Sequence, residues 1–258
     1  MGHLCSMRVT QLLFLLPAKS SALSTVSSTV SATLNALYPA AAYNARRQEA
    51  RSAALATSTI KSTEGVPLAG DASTYGEFDL SFFAELLQSA SPKPGDTFLD
   101  LGSGVGRLVV GAALLHPDTW SNCHGIELSA PLHERAIEAR YAFEELPSPR
   151  PPIAPCEYTC GDVLGVEAAT ALGASAVCFS YAVTWAREKG AHTALSRALA
   201  SSLRPGSRVI SIDLKLSNEI AEEENRHFAL LHQLEGENAE TGACTGWVYE
   251  VRSGLREE

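Results

Sequence analysis

The stretch Asp100-Leu101-Gly102-Ser103-Gly104-Val105-Gly106 constrains this chain more than any other. It follows a buried-strand pattern over 97–101 and opens a helix pattern over 105–116 that Pro117 stops. Strand, glycine loop and helix in that order belong to a parallel sheet with crossover connections. The glycines let the backbone turn sharply and come close to a ligand. The spacing is not the dinucleotide fingerprint, which needs glycine where Arg107 stands. It is not a phosphate-binding P-loop either, because no Gly-Lys-Ser/Thr follows.

The rest of the body repeats the pattern. Apolar residues at 78, 82, 83, 86 and 87 put one face on a helix over 78–90. Strands are expected at 123–128, 157–161, 176–181 and 208–213, with helices at 130–146, 163–172 and 187–203. Five prolines within 147–155 exclude helix and central strand there. Two closing strands, 228–234 and 245–251, lack a long helix between them and suggest an antiparallel pair. The acids Glu222, Glu223, Glu224, Glu235, Glu237 and Glu240 read as a connector before and between those strands. The expected fold is α/β: a Rossmann-like, mostly parallel sheet of seven strands with helices on both faces.

The acids around the loop set the ligand class. Asp100 lies beside the ligand's path, where a carboxylate repels pyrophosphate but suits a cation. Glu127 ends the next strand, from which a carboxylate takes the two hydroxyls of a ribose. Asp162, with Val163, follows the third strand and can accept an amino group of adenine. A nucleoside carrying positive charge and no phosphate fits all three, which points to S-adenosyl-L-methionine. The three strand ends are expected to meet at one crevice on the carboxyl edge of the sheet.

These residues also carry a family resemblance. The run Phe98-Leu99-Asp100-Leu101-Gly102-Ser103-Gly104-Val105-Gly106-Arg107 resembles the cofactor loop of the disruptor-of-telomeric-silencing (DOT-type) histone-lysine methyltransferases. So do Thr74-Tyr75-Gly76-Glu77, upstream, and Gly125-Ile126-Glu127. The match runs over about 72–213. Few methyltransferases have the Tyr-Gly-Glu tripeptide before the loop, so Tyr75-Gly76-Glu77 is its most discriminating part. The resemblance implies a class I S-adenosylmethionine-dependent methyltransferase. It further implies that Tyr75, Gly76, Glu77 and Phe78 form a lid over the cofactor's methionine end. It assigns Phe98 to Arg107 to the loop, Glu127 to the ribose, and Asp162 and Val163 to the adenine. The acceptor it implies is a protein lysine, with histone foremost.

Two features depart from that family. Its Asn-rich motif at the end of the fourth strand is replaced by Ser180 and Tyr181. These two residues, with Trp185, are the candidates for the acceptor channel, whose aromatic walls would favour the neutral amine by desolvation. The body also lacks a basic surface. Residues 1–60 hold five basic side chains and one acid, whereas 61–258 hold 15 basic and 28 acidic ones. An acidic body argues against strong direct binding to nucleic-acid phosphates, and no apolar run is long enough to span a bilayer. Residues 1–70 read as a Ser/Thr/Ala-rich basic tail, a targeting or disordered segment, and 71–258 as the methyltransferase domain. The apolar run 12–16 between Arg8 and small residues, and the Arg46-Arg47 pair, suit a signal or transit peptide. The expected location is the nucleus if histone is the acceptor, and a mitochondrion or plastid if the tail is a transit peptide. Six scattered cysteines form neither a disulfide framework nor a zinc site. Three readings stand: a histone-type lysine methyltransferase, a lysine methyltransferase for a non-histone organellar protein, and a catalytically idle cofactor-binding module.

Overall fold

The computed structural model describes residues 26–56, 75–182, 192–239 and 242–254. Thr74, Trp185, Glu240, the apolar run 12–16 and the start of the helix expected at 187 lie outside the described residues.

Seven strands form one sheet in the order β3-β2-β1-β4-β5-β7-β6. They are β1 (Asp96–Leu101), β2 (Trp120–Glu127), β3 (Cys156–Cys160), β4 (Val177–Ser180), β5 (Arg208–Ile212), β6 (Arg226–Asn238) and β7 (Gly242–Ser253). The first five are parallel, and β7 runs antiparallel to both β5 and β6. The α/β expectation therefore holds, including the closing antiparallel pair. The chain order reverses between β1 and β4, which opens a crevice at their carboxyl ends.

Strand alternation divides the core. Phe98, Cys123, Val177 and Phe179 face one side with α3 (Leu80–Ser89), α4 (Arg107–Leu115) and α5 (Ala130–Glu144). Leu99, Leu101, Ile126, Cys178 and Val209 face the other, against α6 (Val166–Ala174) and α7 (Thr193–Ser202). Both faces being covered explains why β1 and β4 read as unbroken apolar runs. Asp79 starts α3 by accepting the backbone N–H of Phe82 at 2.8 Å. That sets Phe83 edge-on against Phe179 at 5.0 Å between ring centroids.

Two parts differ from the sequence expectation. The tail expected over 1–70 contains two helices, α1 (Ser28–Leu37) and α2 (Tyr43–Ala56), docked on the β1–α4 side of the sheet. Ser27 caps α1, and Val30, Leu34, Tyr38 and Ala50 enter the core. The hairpin β6–β7 is also longer than expected. Glu235 and Glu237, read as connector, are exposed residues of β6 at the sheet edge. Charge on an edge strand blocks pairing with another chain. The acids Glu222 and Glu223 do precede it, on the short helix α8 (Asn218–Glu223).

Candidate cofactor site

The glycine loop is held from β2. Gly102 and Ser103 both donate backbone N–H groups to the Ile126 carbonyl at 2.9 Å. Gly104 donates its N–H to Glu127 Oε2 at 2.8 Å, and Ser129 donates to Oε1 at 2.8 Å. Glu127 is thereby oriented at the end of β2, beside the loop, and burial raises its pKa against the pull of those two donors. Gly106, at φ 77°, begins α4 in the left-handed region. A side chain there would press into the Tyr158 ring at 2.6 Å.

Asp100 lies beneath the loop, 3 % exposed. Its carboxyl accepts no hydrogen bond and meets no cation among the described residues. Burial, and after it the nearby Glu127 charge, push its pKa up to about 8. An acid buried without a donor is costly to ionise unless a cation arrives. A ligand with an ammonium or sulfonium group supplies that cation, so the residues present fit S-adenosylmethionine. Ser103 Oγ, buried without a hydrogen-bond partner, adds a polar atom within the same loop.

The tripeptide predicted to form a lid does adjoin the loop. Gly104, at φ 55°, faces Tyr75 so closely that a Cβ would stand 2.7 Å from the ring. Tyr75 donates its hydroxyl to Glu77 Oε1 at 2.9 Å, and burial followed by the Glu77 charge raise its pKa, keeping it a donor. Arg46 Nη2, from α2, donates to the same oxygen, while Arg107 Nε lies 3.6 Å from Oε2. Arg107 Nη1 also donates to the carbonyl of Phe78, the residue after the tripeptide, at 2.9 Å.

Other predicted residues are placed differently. The Phe78 ring is 1 % exposed and packs on Phe179 and Tyr181, so its side chain belongs to the core and not to a lid surface. The side chains of Phe98, Leu99, Leu101, Val105 and Val163 are likewise buried in the two core layers. Only their backbone is left to face a ligand. Asp162 stands two residues past β3, and its Oδ1 accepts the Leu164 N–H at 2.9 Å, spending one oxygen on the turn before α6. Ser180 ends β4 beside Leu101, with its Oγ buried and unpaired. Tyr181 is half-buried 5.0 Å from the Phe78 ring and accepts the Asn238 amide at 3.1 Å.

The sequence reading missed Arg46 and Asn238. Arg46 sits in a stretch without a trusted period, and Asn238 lies 57 residues beyond Tyr181. Neither carries a local signal. His124 binds Thr159 Oγ1 on the neighbouring strand at 2.9 Å, a structural use. Among the described residues no three His, Cys, Asp or Glu side chains gather to hold a metal ion, and no helix is long and apolar enough to cross a membrane. A groove of about 490 Å³ between α1 and the proline segment, lined by Ala32, Ala36, Leu146 and Arg150, shares no residue with this crevice.

Known proteins bear on these features. Residues 68–148 match the family model described as "Histone methylation protein DOT1". That span includes the tripeptide, the loop and Glu127. Among solved structures, the rRNA methyltransferase aviRa from Streptomyces viridochromogenes superposes with a TM-score of 0.50 at 17% identity, covering 68% of this chain and 86% of its own. An RNA methyltransferase from Salinibacter ruber, in complex with S-adenosyl-L-homocysteine, gives 0.48 at 20% identity over 71% of this chain and 98% of its own. TrmN from Thermus thermophilus gives 0.49 at 18%, over 68% of this chain and 49% of its own. The fold is that of the class I S-adenosylmethionine-dependent methyltransferases. S-adenosyl-L-methionine is the cofactor that this fold and the DOT1 match call for.

Proposed function

We propose that this chain transfers a methyl group from S-adenosylmethionine to a lysine side chain of a protein, as a DOT-type enzyme does. One observation carries the reading. The DOT1 match covers Tyr75-Gly76-Glu77, and the Tyr75 ring of that tripeptide lies against Gly104 of the cofactor loop. A glycine loop alone would support any class I methyltransferase.

The cofactor supplies an electrophilic methyl group when bound. The chain's residues have three tasks: holding the cofactor's charge at Asp100, fixing its sugar at Glu127, and presenting a neutral amine in line. The amine must lose its proton before it attacks, and a half-buried aromatic ring such as Tyr181 favours the uncharged form. Ser180 and Tyr181, at the carboxyl end of β4, are proposed to line the acceptor channel.

Histone is the acceptor that the matched family's description names. The charge balance supports a second acceptor class. With 28 acids against 15 basic side chains beyond residue 60, the body offers a nucleosome no electrostatic attraction. A non-histone acceptor needs no such attraction, and its location in the cell follows from whichever acceptor is found. The rRNA methyltransferase aviRa shares the fold at 17% identity, which assigns no acceptor.

The test is transfer from methyl-labelled S-adenosylmethionine to nucleosomes and, separately, to fractionated cell protein, with the labelled residue identified by mass spectrometry. Label on lysine supports the proposal, and the labelled fraction decides between histone and non-histone acceptors. Label on RNA or on a non-lysine residue overturns it. Cofactor binding without transfer to any fraction identifies an idle module.

A further inference from the structure

We infer that Arg46 is a positioning residue for the cofactor site, and that α2 is therefore a working part of that site. The inference rests on the cofactor reading above. Arg46 is 7 % exposed, an unusual place for a guanidinium. Its Nη1 donates to the Pro39 carbonyl at 3.3 Å, and its Nη2 donates to Glu77. Glu77 Oε1 receives Arg46 and the Tyr75 hydroxyl together.

The contact is made twice from one helix face. Tyr43, one turn before Arg46, sets its ring 6.0 Å from the Tyr75 ring. The Arg46 guanidinium in turn lies 6.0 Å from the Tyr43 ring centroid. Tyr43 and Arg46 thus grip Tyr75 and Glu77, and Tyr75 lies on Gly104. A staple needed only to hold α2 on the body has a cheaper form elsewhere. Glu49 and Arg135 make such a tie at 3.3 Å, more exposed to solvent. The Arg46–Glu77 pair, its guanidinium buried and its carboxylate half-buried, instead ends on the tripeptide proposed to cover the ligand's approach. Burying one charge without its partner is strongly unfavourable, so α2 and the tripeptide hold one relative position. With Arg46 replaced, Tyr75 loses one of the supports that keep it at Gly104, and the cofactor meets a looser lid that must be ordered on binding.

The experiment is calorimetric binding of S-adenosylhomocysteine to the full chain, with melting measured with and without it. Arg46→Met should raise Kd about tenfold or more and shrink the ligand-induced rise in Tm. Arg46→Lys should recover part of the affinity. Arg46→Met with Glu77→Gln should be no worse than the poorer single variant, because the two residues act as one unit. Arg135→Met, which breaks the exposed tie, should bind as wild type does. A folded Arg46→Met with Kd within twofold of wild type overturns the inference, whatever its Tm. If Arg46→Met does not fold, unchanged affinity in both Arg46→Lys and Glu77→Gln overturns it. A wild-type chain that fails to bind overturns the cofactor reading itself, whereas wild-type binding with unaltered variants overturns only the role of Arg46.

Discussion

Asp100→Asn tests the electrostatics of the site most directly. The native carboxyl is buried with its pKa at about 8, against 3.8 for an ordinary one. The folded chain thus holds this proton more tightly than the unfolded chain. The sign is opposite to that of a salt-bridged acid: between those two pKa values stability falls as pH rises. Integrated from pH 6 to pH 8, the loss comes to about 2 kcal/mol. For a body of this size that is roughly 4–9 °C in Tm. Asparagine has nearly the same shape and does not titrate. The difference in Tm between Asp100→Asn and wild type should therefore widen by that amount from pH 6 to pH 8, while other titrating groups cancel. Ligand binding should show the same proton. Below pH 8 the wild-type site must release it to receive an ammonium, so affinity for S-adenosylhomocysteine should rise with pH and calorimetry should depend on the buffer's ionisation heat. Asp100→Asn should lose affinity by tenfold or more and release no proton. A Tm difference that is flat with pH would refute the buried acid, and wild-type affinity in the variant would refute the loop assignment.

Three further outcomes follow from the same geometry. Gly104→Ala places a methyl group into Tyr75 at a positive φ, so it should abolish S-adenosylhomocysteine binding and cost about 1–3 kcal/mol of stability in denaturant melts. Glu127→Gln keeps one acceptor for the Gly104 N–H but loses the charge behind any sugar contact, and affinity should fall about 10- to 100-fold by calorimetry. Tyr181→Phe removes the acceptor of the Asn238 amide. It should lower kcat for the protein acceptor while leaving S-adenosylhomocysteine affinity within about twofold, and a matching loss of affinity would move Tyr181 into the cofactor site.

What was legible in the sequence has a physical pattern. Strands β1 and β4 were visible because two covered faces demand unbroken apolar runs, and α3 because its apolar residues recur with the helical period. Helices α1 and α2 were not visible. Their sequence is rich in Ala, Ser, Thr and Arg, with few large apolar residues to mark a face, and their stability comes from docking Leu34, Tyr38 and Arg46 on the body. Strand β6 was cut short because Glu235 and Glu237 look like connector, whereas an edge strand carries charge on its open side. Asn238 was out of reach of any local pattern, since only the length of the hairpin brings it to Tyr181.

The cofactor loop shows the same division within a single motif. From Phe98 to Arg107 the sequence reads as one binding element, but strand geometry splits it. Alternate side chains of β1 enter opposite core layers, and only Asp100, the glycines and Ser103 are left near the ligand's path. Neighbours in the motif should therefore fail in different ways. Leu99 is fully buried on the face away from Tyr75 and α4, among Leu199, Val209 and Ile126. Leu99→Ala should cost about 2–5 kcal/mol of stability through the cavity it leaves. It should also leave the affinity of the folded fraction for S-adenosylhomocysteine unchanged, because the loop is held by its own N–H groups donating to the Ile126 carbonyl and the Glu127 carboxylate. Asp100→Asn, one residue on, should do the reverse above pH 8, gaining stability and losing the ligand. If both variants lost affinity in proportion to stability, the loop would be responding as one packed unit and the division drawn from the strand would be wrong.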